Sequence, residues 1–158
     1  MPFGWVSAAT CRDELCGIEL WPSGPQDEWV PVPGVGRAAP ILEQMNRYLD
    51  EPRTTFRLAL KCAGTLFQRR VWDALAGIPP GRVETYGCLA RTLGSGPRAV
   101  AAACKANPFP IVIPCHRVVA SRGLGGYCGH SDGPWLEIKR WLLTHEGYFP
   151  TVADARKH

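Results

Sequence analysis

Residues 108–119 read PFPIVIPCHRVV, and the rest of the chain is arranged around this stretch. Its β-branched run over 111–113 predicts a short strand, since branched side chains favour extended backbone. Pro114 stops that run, because proline cannot donate to a central ladder and fixes its own φ. Cys115 and His116 then stand side by side before a second apolar run. Such an arrangement is typical of a reactive thiol held still inside a core.

Length and composition indicate a globular chain of 158 residues that can bury one core or two small ones. Its seven cysteines form neither paired C-x-x-C clusters nor a compact disulfide framework, which indicates reduced thiols, most of them small buried hydrophobes. No run approaches the roughly 18 apolar residues of a membrane span, and no signal peptide is visible. We therefore expect a cytoplasmic protein with no membrane partner.

Charge is distributed unevenly between the two parts of the chain. Residues 1–61 hold six Lys/Arg and eight Asp/Glu, whereas residues 62–158 hold twelve and six. Within 81–122, Glu84 is the single acidic residue beside six basic ones. This basic part predicts a surface that binds a polyanion, and an ordinary solvated charged surface is the alternative.

Apolar periodicity and turn residues predict the elements before residue 62. In chain order we expect strands over 3–9 and 14–21 that form a hairpin, a loop over 22–40, a helix over 39–49 and a strand over 54–61. No catalytic constellation is visible in this part of the sequence, which therefore looks like a support.

The second part of the chain reads as helices. Thr65 and Gln68 form a capping box, which predicts a helix over 65–76. Two short helices over 86–93 and 97–106, joined by a Gly/Ser turn, suggest a helix-turn-helix. A last helix starts at Pro134, with Ser131 and Asp132 able to cap it and with an apolar face made of Ile138, Trp141, Leu142 and His145.

The second helix of the helix-turn-helix is unusually bare. Five of its residues are alanine, and Arg98 and Lys105 are its only charged groups. A helix that reads bases needs Asn, Gln or several Arg residues at successive turns. Small side chains such as Ala99 instead let the backbone lie close to DNA, and Arg98 could insert into the base stack. This predicts DNA binding without sequence preference, and an alanine-rich helix packed on the core is the alternative.

Cys115 is a nucleophile only as thiolate, so it needs a base and an orienting group. His116 is the neighbouring base, although neighbours on a strand point to opposite faces, so a water or a bend after Pro114 would have to join the two. Glu146, at the end of the last helix, is the candidate that orients His116. A buried structural Cys-His pair is the alternative reading of the dipeptide.

The context of the dipeptide resembles a known family. IPCHRV at 113–118 is similar to the active-site signature of the O6-alkylguanine-DNA alkyltransferases, which repair DNA by direct reversal. Further matches follow in the order of that family over about residues 63–148: GTLFQ at 64–68, VW at 71–72, Tyr86, RAV at 98–100, NP at 107–108, GY at 126–127 and LLTHEG at 142–147.

The resemblance implies roles for three sets of residues. The catalytic set would be Cys115 as alkyl acceptor, His116 and Glu146 as proton relay through a water, Tyr86 as hydrogen-bond donor to the leaving guanine, and Asn107 as the brace of the turn. The DNA-binding set would be Arg98 in the gap left by the flipped nucleotide, with Ala99, Lys105, Arg117 and Tyr86. The pocket would be lined by Val118, Tyr127, Cys128 and Pro110. The main-chain carbonyls of Val118 and Cys115 would accept hydrogen bonds from the exocyclic amine of the base.

The resemblance also implies an α+β fold. A small ribonuclease-H-like α/β domain over 1–61 would precede a winged-helix-like alkyltransferase domain over 62–149, and a disordered tail would occupy 150–158. The chain would act once, as a monomer, on O6-alkylguanine in double-stranded DNA, approached from the minor groove, with O4-alkylthymine as a second candidate lesion. The damaged base is itself the alkyl donor, so no cofactor is expected, and no metal is expected because no histidine precedes His116.

Position 128 departs from the family pattern. Cys128 stands where many relatives have a small hydroxyl residue or glycine, so it either alters recognition of the oxygen or adds a second thiol near the site.

Three other functions can be weighed against alkyl transfer. Alkyltransferase-like proteins bind the same lesions but lack the acceptor cysteine, which this chain has. A Cys-His hydrolase would need an oxyanion site and would have no use for the DNA-binding helix pair. A transcription regulator would need base-reading side chains, which the second helix lacks.

Overall fold

The computed structural model describes residues 4–23 and 35–149, and within them it has mixed α/β content. In chain order its elements are β1 (Trp5–Cys11), β2 (Glu14–Trp21), α1 (Val35–Asp50), α2 (Leu66–Ala76), β3 (Glu84–Thr85), α3 (Tyr86–Thr92), α4 (Pro97–Lys105), a 3₁₀ turn (Cys115–Arg117), β4 (Val118–Val119) and α5 (Pro134–His145). The start of the first predicted strand, most of the predicted loop over 22–40 and the predicted tail over 150–158 lie outside the described residues. No helix in the described ranges is long and apolar enough to cross a membrane.

The predicted hairpin is confirmed: β1 and β2 pair in antiparallel register. The predicted strand over 54–61 is wrong, because this segment joins β2 only through one parallel bridge between Leu15 and Leu60. The Leu15 N–H donates to Ala59 O at 2.8 Å, and its carbonyl accepts from the Lys61 N–H at 2.9 Å. Side chains still alternate in burial along the segment, so periodicity identified its inner face but not its pairing.

The helix after the first unit begins where its cap predicts. Thr65 is the N-cap of α2, and its hydroxyl accepts from the Gln68 N–H while the Gln68 side chain accepts from the Thr65 N–H. α2 buries Val71, Trp72 and Leu75. The indole N–H of Trp72 donates to Ala103 O at 2.9 Å, which fixes α2 against α4.

The two helices of the predicted helix-turn-helix are confirmed, with Gly94 at φ 63° in the turn between them. The inner face of α4 packs on the core through residues that are all small: Val100, Ala103 and Cys104. Its outer face leaves Arg98 and Ala99 exposed. The alanine-rich helix therefore packs on the core with one face and offers a nearly bare second face to solvent.

The predicted strand over 111–113 is wrong: this segment is a turn, in which Ile111 has a φ of 76°. Three prolines, at 108, 110 and 114, remove N–H donors on both sides of the β-branched run, so a ladder cannot form there. Ile113 N–H instead donates to Phe109 O at 2.8 Å. The chain becomes extended only at β4, which pairs in parallel with β3.

The start of α5 differs from its prediction in the cap. Gly133 is the N-cap residue, at φ 68°, and no side chain caps the helix, so Ser131 and Asp132 do not have the predicted role. The predicted apolar face is present, with Ile138 and Leu142 fully buried. His145 is half-buried on that face, and its Nε2 lies 2.9 Å from Tyr48 O.

Candidate active site

Cys115 lies at the buried end of a cavity of about 340 Å³. The residue itself is only 4% exposed. The lining brings together α3, α4, the 3₁₀ turn and the glycine-rich loop before α5: Tyr86, Ala101, Ala102, Cys104, Lys105, Cys115, Gly126, Tyr127, Cys128, Gly129, His130 and Ser131. The outer members of this set, on α4 and at 129–131, are exposed, so the cavity opens beside the bare face of α4.

The carboxylate of Glu146 is the centre of a buried network on the other side of the 3₁₀ turn. Its Oε1 accepts from the Tyr48 hydroxyl at 2.9 Å and lies 2.9 Å from His116 Nε2. Arg117 donates to both oxygens, from Nη2 at 2.8 Å and from Nε at 2.8 Å. The residue is 5% exposed, and burial alone would raise its pKa, but the hydrogen bonds from His116 and Arg117 outweigh burial and lower it to about 2.

This network fixes the proton on the imidazole. An ionised carboxylate can only accept, so His116 donates to Glu146 through Nε2. Burial lowers the pKa of His116, against the opposing effect of Glu146, so the ring is neutral at pH 7. In that tautomer Nδ1 carries the lone pair, and Nδ1 is a buried atom with no hydrogen-bond partner among the described residues. His116 therefore holds a free basic nitrogen one residue from the thiol.

The thiol of Cys115 is itself prepared for ionisation. The hydrogen bond from the Cys128 thiol lowers the pKa of Cys115, burial opposes it, and Asn107 and the charge of Lys139 lower it further, with a net decrease. Cys128, Asn107 and Lys139 thus favour the thiolate, and His116 provides a base that can take the thiol proton.

Lys139 is a site residue that sequence reasoning missed. It lies on α5 with no exposed surface, and its Nζ donates to Val118 O at 2.6 Å, Leu124 O at 2.6 Å and Gly126 O at 2.9 Å. Burial lowers its pKa to about 8, so it remains mostly charged at pH 7. A lysine three residues before Leu142, on the apolar face of α5, was the signal that could have revealed it.

The structure places Asn107 and Tyr86 beside the turn and the cavity that hold Cys115. Asn107 donates from Nδ2 to Ile113 O at 2.8 Å and accepts from the Phe109 N–H at 2.9 Å, so it joins the ends of the turn that precedes Cys115. Tyr86, the first residue of α3, lines the cavity and donates its hydroxyl to Gly126 O at 3.3 Å.

The assignment of Arg117 to a DNA-binding surface is wrong. Its side chain is 7% exposed and is paired with Glu146, so it cannot reach a phosphate. The pocket set also needs revision: neither Val118 nor Pro110 lines the cavity that holds Cys115. Val118 offers its carbonyl to Lys139, and Pro110 lines a neighbouring cavity of about 600 Å³. Arg98, Ala99 and Lys105 remain exposed along α4.

No group of three or more His, Cys, Asp and Glu side chains that could hold a metal ion occurs in residues 4–23 and 35–149. What the site offers instead is a buried thiol in an open cavity, a neutral imidazole and a buried cation close to it. This combination can perform nucleophilic attack by sulfur on an electrophile that enters from the α4 side.

Sequence comparison connects this site with a family of repair proteins. The family model described as 6-O-methylguanine DNA methyltransferase, DNA binding domain, matches residues 66–148. A methylated-DNA–protein-cysteine methyltransferase of Archaeoglobus fulgidus is 40% identical over 109 residues, which cover 67% of this chain and 73% of that protein. Its counterpart in Mycobacterium bovis is 42% identical over 121 residues, 75% of this chain and 69% of that protein. The chain spans only 48% of the Salmonella typhimurium relative, at 53% identity.

Solved structures agree with the sequence match. The O6-methylguanine methyltransferase of Mycobacterium tuberculosis superimposes with a TM-score of 0.76 at 31% identity, over 100% of this chain and 91% of that one. The OGT protein of the same organism, in complex with DNA, gives a TM-score of 0.73 at 35% identity, over 89% of this chain and 85% of that one. The chain belongs to the family of methylated-DNA–protein-cysteine methyltransferases.

Proposed function

We propose that this protein repairs alkylated DNA by direct reversal, with Cys115 taking the alkyl group from O6-alkylguanine in double-stranded DNA once per molecule. The observation that carries the proposal is the buried Cys115 thiol at the end of an open cavity, with the His116–Glu146 pair on the other side of the 3₁₀ turn. Family membership supplies the reaction class. O4-alkylthymine is a second candidate lesion for the same thiol.

The transfer is a single displacement. Nδ1 of His116 accepts the thiol proton through a bridging water, and Glu146 stabilises the imidazolium that forms. The thiolate of Cys115 attacks the alkyl carbon, the bond from that carbon to O6 breaks, and its electron pair stays on the guanine. Tyr86 donates a hydrogen bond that offsets the charge developing on the leaving base. The resulting thioether has no good leaving group, so the transfer is irreversible. It needs no cofactor, because the damaged base is itself the alkyl donor.

DNA would approach the outer face of α4 through its minor groove. Ala99 and its small neighbours let the helix backbone come close, Lys105 contacts phosphate, and Arg98 occupies the space of the flipped nucleotide. Flipping brings the target atom out of the stack at a cost of a few kcal/mol. The absence of base-reading side chains on this face favours binding without sequence preference, which suits damage that can occur anywhere.

The same function fits the two-part organisation expected from the sequence. Residues 62–149 would form a winged-helix-like domain that holds the acceptor, and residues 1–61 a ribonuclease-H-like domain that supports it. The hydroxyl of Tyr48, which donates to Glu146, supports a direct contribution of α1 to the site. We further propose that the protein acts as a monomer in the cytoplasm.

Intact-mass measurement tests the function directly. After incubation with a duplex that contains one O6-methylguanine, the protein should gain the mass of one CH₂ unit, since a methyl group replaces the thiol hydrogen. The gain should disappear in Cys115→Ala and persist in Cys62→Ala, whose thiol is exposed and lies outside the cavity. A protein that gains no mass, or a Cys115→Ala variant that still gains it, would refute alkyl transfer to Cys115.

A further inference from the structure

The cavity of Cys115 contains more thiols than alkyl transfer uses. Cys104 and Cys128 line the same cavity, and all three cysteines are free. Cys104 lies on the inner face of α4 and is buried, whereas Cys128 is half-buried in the loop before α5. The proposed displacement consumes one sulfur, so Cys128, which lies next to it and donates a hydrogen bond to it, remains available for a further reaction.

We propose that Cys128 is a resolving thiol, which forms a reversible disulfide with Cys115 when a hydroperoxide oxidises the acceptor. The inference goes beyond the proposed repair function, because the oxidation requires no DNA. It identifies Cys128 as a modification site and a hydroperoxide as the class of oxidant.

The structure makes Cys115 the thiol that reacts first. Its pKa is lowered by the hydrogen bond from Cys128, against burial, whereas burial raises the pKa of Cys104 to about 12. A thiolate is the form that peroxide oxidises. Hydrogen peroxide is little larger than a water molecule, whose share of liquid volume is about 30 Å³, so a cavity of about 340 Å³ admits it easily.

The chemistry proceeds in two balanced steps. The thiolate of Cys115 attacks one peroxide oxygen, the O–O bond breaks, and the products are a sulfenic acid on Cys115 and hydroxide. The sulfur of Cys128 then attacks the sulfur of the sulfenic acid, a disulfide forms, and the oxygen leaves as water together with the thiol proton. Two electrons pass from the two thiols to the peroxide, and an external thiol can reverse the change.

Cys128 is better suited than Cys104 to the second step. The thiolate of Cys115 is the main reason why the pKa of Cys128 is raised, through their hydrogen bond, and burial comes second. Oxidation to the neutral sulfenic acid removes that cause, so Cys128 becomes easier to ionise when it is needed. The loop around it is rich in glycine, and Cys128 and Gly129 both have positive φ, 49° and 88°. Cys104 is instead held in a helix.

A disulfide would protect an acceptor that cannot be replaced. Sulfenic acid that meets more peroxide becomes sulfinic acid, which thiols do not reduce. Because each molecule transfers one alkyl group, overoxidation of Cys115 inactivates the molecule permanently, just as the repair reaction does. Capture by Cys128 keeps the oxidised protein recoverable.

Peptide mapping of the whole protein tests the pair without any DNA. The protein is treated with equimolar hydrogen peroxide, its remaining thiols are blocked with iodoacetamide, and it is digested with trypsin without reduction. The three cavity cysteines fall on separate peptides, 99–105, 106–117 and 123–139. We expect peptides 106–117 and 123–139 joined with the loss of two hydrogens. A link to 99–105 instead, or sulfinic acid on Cys115 with no link, would overturn the proposal.

A second measurement concerns recovery. After peroxide and then dithiothreitol, each variant is compared with its own untreated sample for mass gain from O6-methylguanine DNA. The natural protein and Cys62→Ser should recover at least about threefold more acceptor capacity than Cys128→Ser, which cannot be rescued from overoxidation. Equal recovery in Cys128→Ser would contradict the proposal. Failure of the repair function would appear separately, as absence of mass gain in the untreated protein.

Discussion

Replacement of Glu146 by glutamine tests whether its charge stabilises the fold as well as the site. Glutamine has nearly the same shape but no charge, and the carboxylate is surrounded by donors from Tyr48, His116 and Arg117. The change therefore keeps the packing while it leaves the buried guanidinium of Arg117 without its ionic partner.

The size of the effect follows from the pKa of the carboxyl group. Folding lowers the pKa of Glu146 from 4.5 to about 2, and each unit of pKa corresponds to about 1.36 kcal/mol. The charge thus contributes about 3 kcal/mol to the free energy of unfolding at pH 7. Removal of one partner from a buried ion pair costs a similar amount, about 3–5 kcal/mol.

The effect has a definite sign and pH window. Because the folded pKa lies below the unfolded value, the stabilisation is complete above pH 4.5 and is lost as the pH falls toward 2. At the acid end the side chain at position 146 is uncharged in the natural protein, as the amide of Glu146→Gln is at every pH. The difference in stability between the two proteins should therefore shrink from about 3 kcal/mol at pH 7 to nearly zero near pH 2.

Urea unfolding, followed by tryptophan fluorescence at several pH values, measures this difference. Glu43→Gln is the matched control, since Glu43 accepts from Arg47 at 2.9 Å, close to the 2.8 Å between Arg117 and Glu146, but both side chains of the control pair are largely exposed. The control should lose at most about 0.5 kcal/mol, as exposed pairs do. A loss below about 1 kcal/mol in Glu146→Gln at pH 7, or a loss that does not change with pH, would refute the reasoning.

Three further substitutions separate DNA handling from chemistry. Arg98→Ala should slow methyl transfer from duplex DNA by at least about tenfold without changing the urea midpoint, because the side chain is exposed; unchanged transfer from duplex DNA would argue against its role in flipping. Tyr86→Phe should lower the single-turnover rate of transfer more than duplex affinity, whereas equal losses in a titration and a rate assay would contradict hydrogen-bond donation to the leaving base. Lys139→Met should shift the pH midpoint of Cys115 alkylation by iodoacetamide upward and slow the reaction at pH 7 about tenfold, since the charge of Lys139 lowers the pKa of that thiol. A midpoint that stays or falls would contradict this role of Lys139.

Local signals predicted the elements that depend on neighbours in sequence. The capping box at Thr65 placed the start of α2 within one residue, and glycine and proline placed α3 and α4. The strand expected over 111–113 failed because β-propensity describes side chains, whereas a ladder needs N–H donors that the flanking prolines lack. The end of the last helix, which packs on the same core, made Glu146 the candidate partner of His116, and the resemblance implied the same pairing.

Long-range partners were beyond the reach of pattern reasoning. Tyr48 donates to Glu146 across 98 residues of sequence, and nothing in its helical spacing distinguishes it from an ordinary core residue. Arg117 was counted with the basic surface because charge alone does not reveal burial. The carboxylate of Glu146 and the carbonyl of Ile78, which both accept from its guanidinium, make that burial tolerable. A charged residue within an apolar helix face, as at Lys139, is the one local feature that would have predicted a buried side chain with long-range polar partners.

The 3₁₀ turn explains how adjacent residues serve two different environments. With three residues per turn, successive side chains point roughly 120° apart, whereas on a strand they would point to opposite faces. Cys115 therefore faces the cavity while His116 and the residue after it both reach Glu146 on the other side. A shift of one residue in this turn would bring the imidazole to the cavity and move the thiol out of it. The register of the turn, set by Pro114 and by the hydrogen bonds of Asn107, is thus what makes this thiol an acceptor.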